Sequence, residues 1–227
     1  MKIIELTGEP CAGKSTYLNS LSKLDHFTLF CRQWLLNDLG ITSKVNLLSP
    51  VIYELYMFYA GMRGIGHSRL FYFWLATQKL NEPVLRRINI FRNIIHKYAI
   101  HYRVANSKCC EEYLVVDEGI SHIPYLFTGG LDKIETSSLF NFPYEKPWII
   151  KLSLDIEIII SRLLKRGHKR IDDSLESATL FALANRKCSQ LQDALLVGYE
   201  RKTLLNSPQE KSMDKLVKDF AKLDVSR

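Results

Sequence analysis

Apolar runs alternate with amphipathic stretches along most of this chain. Lys2-Ile3-Ile4-Glu5-Leu6-Thr7 is largely apolar and β-branched, which predicts a buried strand ending at Gly8. From Lys14 to Leu24 the pattern becomes helical, with Leu18, Leu21 and Leu24 on one face. His26 to Cys31 reads as a second short strand, ending at Arg32-Gln33-Trp34. Pro50 to Met62, Ser68 to Leu80 and Glu82 to Lys108 predict three helices, separated by Gly61-Met62-Arg63-Gly64-Ile65-Gly66 and by Asn81-Glu82-Pro83. Pro83 suits the first turn of the third. Their aromatic runs, Leu55-Tyr56-Met57-Phe58-Tyr59 and Leu70-Phe71-Tyr72-Phe73-Trp74, are expected in the core, with part of them free to line a pocket.

Strand patterns return at Glu112 to Val116, which runs into Asp117-Glu118-Gly119, and at Trp148 to Leu154. A helix over Asp155 to Arg166, broken at Gly167, precedes a longer one over Leu175 to Val197. Lys202 to Asn206 is a weak last strand, and Gln209 to Leu223 a last helix after Ser207-Pro208. Strands alternating with helices predict an α/β domain whose five-stranded parallel sheet is covered on both faces. The helical block, about residues 47–110, is an insertion into that alternation.

Composition narrows this little. At 227 residues and nearly half hydrophobic, the chain suits a single domain with a substantial core. A formal net charge of +7 suits a phosphate-bearing partner but is also common without one. The five cysteines (Cys11, Cys31, Cys109, Cys110 and Cys188) form no C-x-x-C pair, so neither a disulfide framework nor a zinc site is expected. The strand beginning at Lys2 leaves no room for a signal peptide, and no apolar run approaches the ~18 residues of a membrane span. The expectation is a cytoplasmic protein.

The densest chemistry lies between the first strand and the first helix. Gly8-Glu9-Pro10-Cys11-Ala12-Gly13-Lys14-Ser15 fits G-x-x-x-x-G-K-[ST] at every fixed position, and Thr16 follows. Such a loop turns backbone N–H groups inward around phosphate oxygens while the next helix directs its positive end at the same anion. Lys14 can then reach the β- and γ-phosphates, and the Ser15 hydroxyl can ligate Mg²⁺. Asp117 ends an apolar strand expected beside the first, where it can hold the metal's water shell or accept a proton; Glu118 adds a second carboxylate.

Arg162 and Arg166 share a helix face, and Lys169 and Arg170 follow Gly167. Guanidinium groups there can stabilise the charge of a transferring phosphoryl group, which makes about 162–174 a candidate lid. Arg86, Arg87, Arg92, His96, Lys97, His101, Arg103 and Lys108 make the long helix basic, a pattern open to nucleic acid and equally to a solvated face. Arg32, Arg63 and Arg69 are placed to meet an anionic acceptor, and His67, His122 and His168 have no metal-ligand spacing.

Taken together, Gly8–Thr16, Asp117, the strand Trp148–Leu154 leading to Asp155 and the basic run Arg162–Arg170 resemble the P-loop nucleoside and nucleotide kinases, in particular the thymidylate-kinase-like branch. The resemblance implies an ATP- and Mg²⁺-dependent kinase of a small-molecule acceptor (nucleoside, nucleotide or sugar-like). It casts Lys14, Asp117, Glu118, Arg162 and Arg166 as catalytic. Gly8 to Thr16 with Arg166 and Arg170 would bind the nucleotide, and Ser15 and Asp117 the metal. The chain departs from that branch where Asp117-Glu118 replaces Asp-Arg and Pro10 replaces an acid, so the acceptor stays open. So do an ATPase or nucleotide-switched regulator, in which Glu118 aligns water, a polynucleotide 5′-kinase, and a homodimer.

Overall fold

The structure is a computed structural model and describes residues 2–23, 27–41, 49–107, 113–128, 142, 144, 146–167, 171–199 and 202–205. Within them the chain is α/β, with five strands in one all-parallel sheet and eight α-helices. The strands are β1 (Lys2–Gly8), β2 (Phe27–Leu29), β3 (Tyr113–Asp117), β4 (Trp148–Leu152) and β5 (Lys202–Leu205), in the order β2-β3-β1-β4-β5. β1 is central and almost wholly buried.

Sheet alternation sorts the core. Ile4 and Leu6 with Tyr113, Val115, Ile150 and Leu152 face α1 (Lys14–Leu21), α7 (Ile156–Arg166) and the start of α8 (Leu175–Leu195). Ile3, Leu114 and Val116 face α2 (Arg32–Asp38), α3 (Ser49–Ile65) and α5 (Val84–Ala105). A third cluster joins α4 (His67–Gln78) and α5 to a 3-10 turn at Ile120–His122 and to α6 (Ile123–Leu126). Both faces of the sheet are therefore covered, as a parallel sheet requires.

Several boundaries differ from the expectation. Arg32-Gln33-Trp34 begins a helix, α2, because Cys31 caps it: the Trp34 N–H donates to Cys31 Sγ at 3.4 Å. α3 does not stop at Met62 but runs through Gly61 and Gly64 to Ile65, and Gly66 alone separates it from α4. Tertiary packing overrides the helix weakness of those glycines, since a Cβ at Gly61 would strike Ile95 of α5. Pro83 is the residue before α5, not within its first turn, and its carbonyl accepts from Arg86 and Arg87 N–H at 2.9 and 3.0 Å.

The aromatic runs are only half core. Met57 and Phe73 are buried, while Leu55, Phe58, Tyr59, Phe71 and Trp74 are exposed, because α3 and α4 each turn one face to α5 and the other outward. No helix among the described residues is long and apolar enough to cross a membrane. The expected helix Gln209 to Leu223 lies outside the described residues, as do Cys109 and Cys110.

Candidate functional site

β1 delivers the Gly8–Thr16 loop at the middle of the sheet. Gly8 has φ 137°, and a Cβ there would collide with the Leu152 carbonyl of β4, so only glycine lets the chain leave the strand in this direction. Cys11 is left-handed at φ 63° and Gly13, at φ 99°, is the N-cap of α1. That N-cap carries no side chain to bond the first-turn N–H groups, and no acidic residue stands in the first turn. The positive end of α1 is thus left for an external anion. Ser15 and Thr16 are exposed beside it.

Lys14 folds back over the loop. Its Nζ donates to the carbonyls of Gly8 (3.0 Å) and Glu9 (3.2 Å) and lies 3.3 Å from Glu118 Oε1. Strand register explains the meeting. Leu6 of β1 pairs with Asp117 of β3, so the two carboxylates leave β3 alongside the loop. Asp117 is exposed, and Glu118 is left-handed at φ 58°.

The two acids differ in their surroundings. Burial of its site raises the Asp117 pKa, the Glu118 charge raises it further, and Lys14 and Lys97 only partly offset this. For Glu118 burial also works upward, although its side chain is 41% exposed. The charges of His122, Lys14 and Lys97 outweigh it and bring Glu118 down to about 2. Asp117 therefore holds a proton more readily than an ordinary aspartate, and Glu118 is a fixed anion.

A buried polar frame holds the turn behind these acids. Glu5, fully buried on β1, accepts from the N–H groups of Ile120 (2.9 Å) and Ser121 (2.7 Å) and contacts His101 Nε2 at 2.5 Å. Burial opposes ionisation of Glu5, but the His101 and Ser121 contacts prevail and lower its pKa. Gly119 packs so closely on this carboxyl that a Cβ would overlap it. Lys97 Nζ donates to the Glu118 carbonyl. His122 bridges Glu118 Oε1 (Nε2, 3.4 Å) and Thr7 Oγ1 (Nδ1, 3.2 Å), and Gln192 of α8 donates to Thr7 Oγ1 and to the Ser121 carbonyl.

Two arginines grip the loop from the other side. Arg162 Nη1 donates to the Cys11 carbonyl at 2.9 Å, so this residue holds loop backbone instead of standing free as a lid arginine. Arg186 of α8 donates to the Leu154 carbonyl, and its Nε stands 2.8 Å from Glu9 Oε1 without hydrogen-bond alignment. Glu9 is buried, which raises its pKa against the opposing charges of Arg186 and Lys151. Arg166 is exposed in the last turn of α7, and Gly167 ends that helix at φ 66°. His168, Lys169 and Arg170 lie outside the described residues, so the candidate lid is described only at 162–167 and 171–174. A groove of about 650 Å³, lined by Ile160, Ser161, Leu164 and Leu175 among others, lies on the side of α7 away from Arg162.

The basic series of α5 is only partly a solvated face: Arg86 and Arg92 remain 43% exposed. Lys97 and His101 are buried, Arg92 pairs with Glu54, Arg103 with Asp38, and Arg86 with Glu82 at 2.9 Å. Lys108 lies outside the described residues. Arg32, Arg63 and Arg69 sit on three different helices, and Arg63 lies over the Tyr59 ring at 6.0 Å.

Sequence reasoning missed Glu5, Arg186 and Gln192, and it named Lys97 and His101 only as part of a basic helix and His122 only as lacking metal-ligand spacing. Two signals existed: Glu5 is a charge inside an apolar strand, and Ile90, Ile94, Lys97, His101 and Val104 form one helical stripe in which two members are basic. Compared with protein-family models and with curated proteins, the chain matches none.

Proposed function

We propose that this chain is an ATP- and Mg²⁺-dependent phosphotransferase on a P-loop-type α/β fold, acting on a small-molecule acceptor such as a nucleoside, nucleotide or sugar-like alcohol. The observation that carries it is the uncapped N-terminus of α1 behind left-handed Gly13, with Lys14 closed over the same loop and against Glu118. A loop so built suits phosphate oxygens, which backbone N–H groups and Lys14 would hold.

Bound ATP would supply the phosphoryl group, and Mg²⁺ would neutralise charge on its oxygens. Ser15 and Asp117 would hold the metal. Both are exposed at the mouth of the loop. No three His, Cys, Asp or Glu side chains converge for a metal among the described residues, and Mg²⁺ does not need them. It binds through one or two protein oxygens with phosphates and water. Asp117 would hold the metal through its water shell and take the proton of an attacking hydroxyl. Glu118 serves as counter-ion to Lys14, Arg162 steadies the loop, and Arg166 and Arg170 would approach the transferring group.

Burial of Lys97 and His101 weakens the support for a polynucleotide acceptor. The test is γ-labelled ATP with pooled metabolites and oligonucleotides, analysed by mass. A phosphorylated small molecule, lost in Lys14→Ala with the fold intact, supports the proposal. Labelled oligonucleotide, or free phosphate alone, replaces it with the polynucleotide-kinase or ATPase reading, and equal ATP affinity in wild type and Lys14→Ala removes the nucleotide site altogether.

A further inference from the structure

Lys97 is a buried cation that the reaction described above does not use. It lies on the inner face of α5 one turn before His101 and is 8% exposed. Among the described residues it has one hydrogen-bond acceptor, the Glu118 carbonyl. Burial lowers its pKa against the opposing charges of Glu118, Glu5 and Asp117. An ammonium held in this way is a costly core filler, since methionine occupies similar space with no charge to desolvate. Its one contact falls on a strained residue.

Glu118 is left-handed at φ 58°, a conformation that a non-glycine residue keeps only where its surroundings hold it there. Both of its backbone polar groups are held. The N–H donates to the Leu6 carbonyl of β1 at 2.9 Å, and the carbonyl accepts from Lys97 of α5. Past it, Gly119 lies against the Glu5 carboxyl, which His101 contacts, so two residues four apart on α5 bear on one turn. That turn decides where the acids stand. Strand alternation puts Asp117 on the sheet face that carries α1 and would send the next side chain to the face that carries α5. The left-handed step instead leaves Glu118 Oε1 3.3 Å from Lys14 Nζ and 3.4 Å from His122 Nε2.

We propose that Lys97 is a positioning residue for phosphoryl transfer: from α5 it pins the Glu118 carbonyl, keeps residue 118 left-handed, and thereby fixes the Asp117 and Glu118 carboxylates relative to Lys14. The positioning role rests on the reading of the Gly8–Thr16 loop as a nucleotide site, whereas the pinning of the turn does not.

The test places Lys97→Met in three backgrounds: wild type, Glu118→Gln and Glu118→Gly. Each is followed by urea unfolding and by ADP release from Mg²⁺·ATP in the presence of pooled metabolites. Glutamine removes the charge but keeps the left-handed cost, and glycine removes both. In the wild-type and Glu118→Gln backgrounds, Lys97→Met should lower the urea midpoint by ~0.5–1 M and kcat about 10-fold, with KM for ATP little changed. In the Glu118→Gly background both losses should shrink to less than about a third. A Lys97→Met chain that folds only together with Glu118→Gly supports the proposal equally. Equal losses in every background, or failure to fold in every one, would make Lys97 a packing residue and overturn it. Losses that vanish with Glu118→Gln as well would make Lys97 only the counter-ion of Glu118. The expected urea pattern with kcat unmoved would leave a pin that positions nothing. If wild type releases no ADP, the nucleotide reading falls and the positioning role with it, while the urea series still decides whether Lys97 holds the turn.

Discussion

Where β3 ends, Asp117 and Glu118 enter a left-handed turn that one buried carboxylate, Glu5, holds through two N–H groups. This gives each acid its own pH behaviour. Glu118 falls from 4.5 in the unfolded chain to about 2, so its ion pairs stabilise the fold above pH 4.5 and are lost as pH falls toward 2. Melting temperatures recorded across that window should drop less steeply in Glu118→Gln than in wild type. Asp117 is raised, so the fold prefers it protonated and its ionisation costs stability as pH rises through the folded value. Asp117→Asn should therefore melt slightly higher at neutral pH, by about 1 °C given its exposure, while losing ~10²–10⁴-fold in phosphoryl transfer if it takes the acceptor's proton. Glu118→Gln should keep most of the turnover. Gly119→Ala would drive a methyl into the Glu5 carboxyl and should cost about 1–3 kcal/mol in urea unfolding.

Among elements, α7 and α8 matter to the loop as its braces. Arg162 bonds loop backbone whether or not the charge of a reaction develops, whereas Arg166 is exposed. Steady-state kinetics should separate them. Arg162→Ala should raise KM for ATP about 10-fold, the value of one charge-assisted hydrogen bond, with kcat little changed. Arg166→Ala should lower kcat instead; if both variants move kcat alone, Arg162 is not bracing the loop.

The elements were legible to the extent that local pattern decides them. All five strands were visible as apolar runs, β5 only weakly, and α7 begins after Asp155 and ends at Gly167 as expected, although the Asp155 side chain makes no capping hydrogen bond. α2 was missed because a cysteine is an uncommon cap, and the unbroken α3 because its glycines are favoured only by α5 lying against them. The exposed aromatics could not be told from core ones, since an aromatic run looks alike on either side of a helix. In the site, the loop and the strand-end acids were readable as contiguous motifs. Arg186 with Glu9, and Gln192 with Thr7, meet across most of the chain length, and no periodicity announces such pairs.

At the scale of the whole molecule, the sheet brings chemistry to its centre: β1 carries the loop, β3 beside it carries the acids, and β4 on the other side sets the carbonyl that fixes Gly8. The formal charge of +7 does not appear as one basic stripe on α5, whose described cations are largely engaged with acids or carbonyls.

The same topology has a consequence for biogenesis. Ile4 pairs with Val115 on one flank and with Trp148 on the other, so β1, made before either neighbour, stays incomplete until β4 follows it. At ~5–20 residues per second, the ribosome takes roughly 7–30 s to travel from β1 to β4. Through that interval the Ile3-Ile4-Glu5-Leu6 segment carries unpaired backbone and a carboxylate whose N–H donors at Ile120 and Ser121 have not yet been synthesised. Nascent chains stalled before Tyr113 should therefore be cleaved readily near β1 by a broad-specificity protease and retained by a holdase chaperone. Chains stalled with β4 clear of the exit tunnel should resist the same protease. Glu5 offers a natural brake on premature pairing in that interval, since a charged strand is a poor template for a neighbouring copy until its own chain supplies the partners that neutralise it.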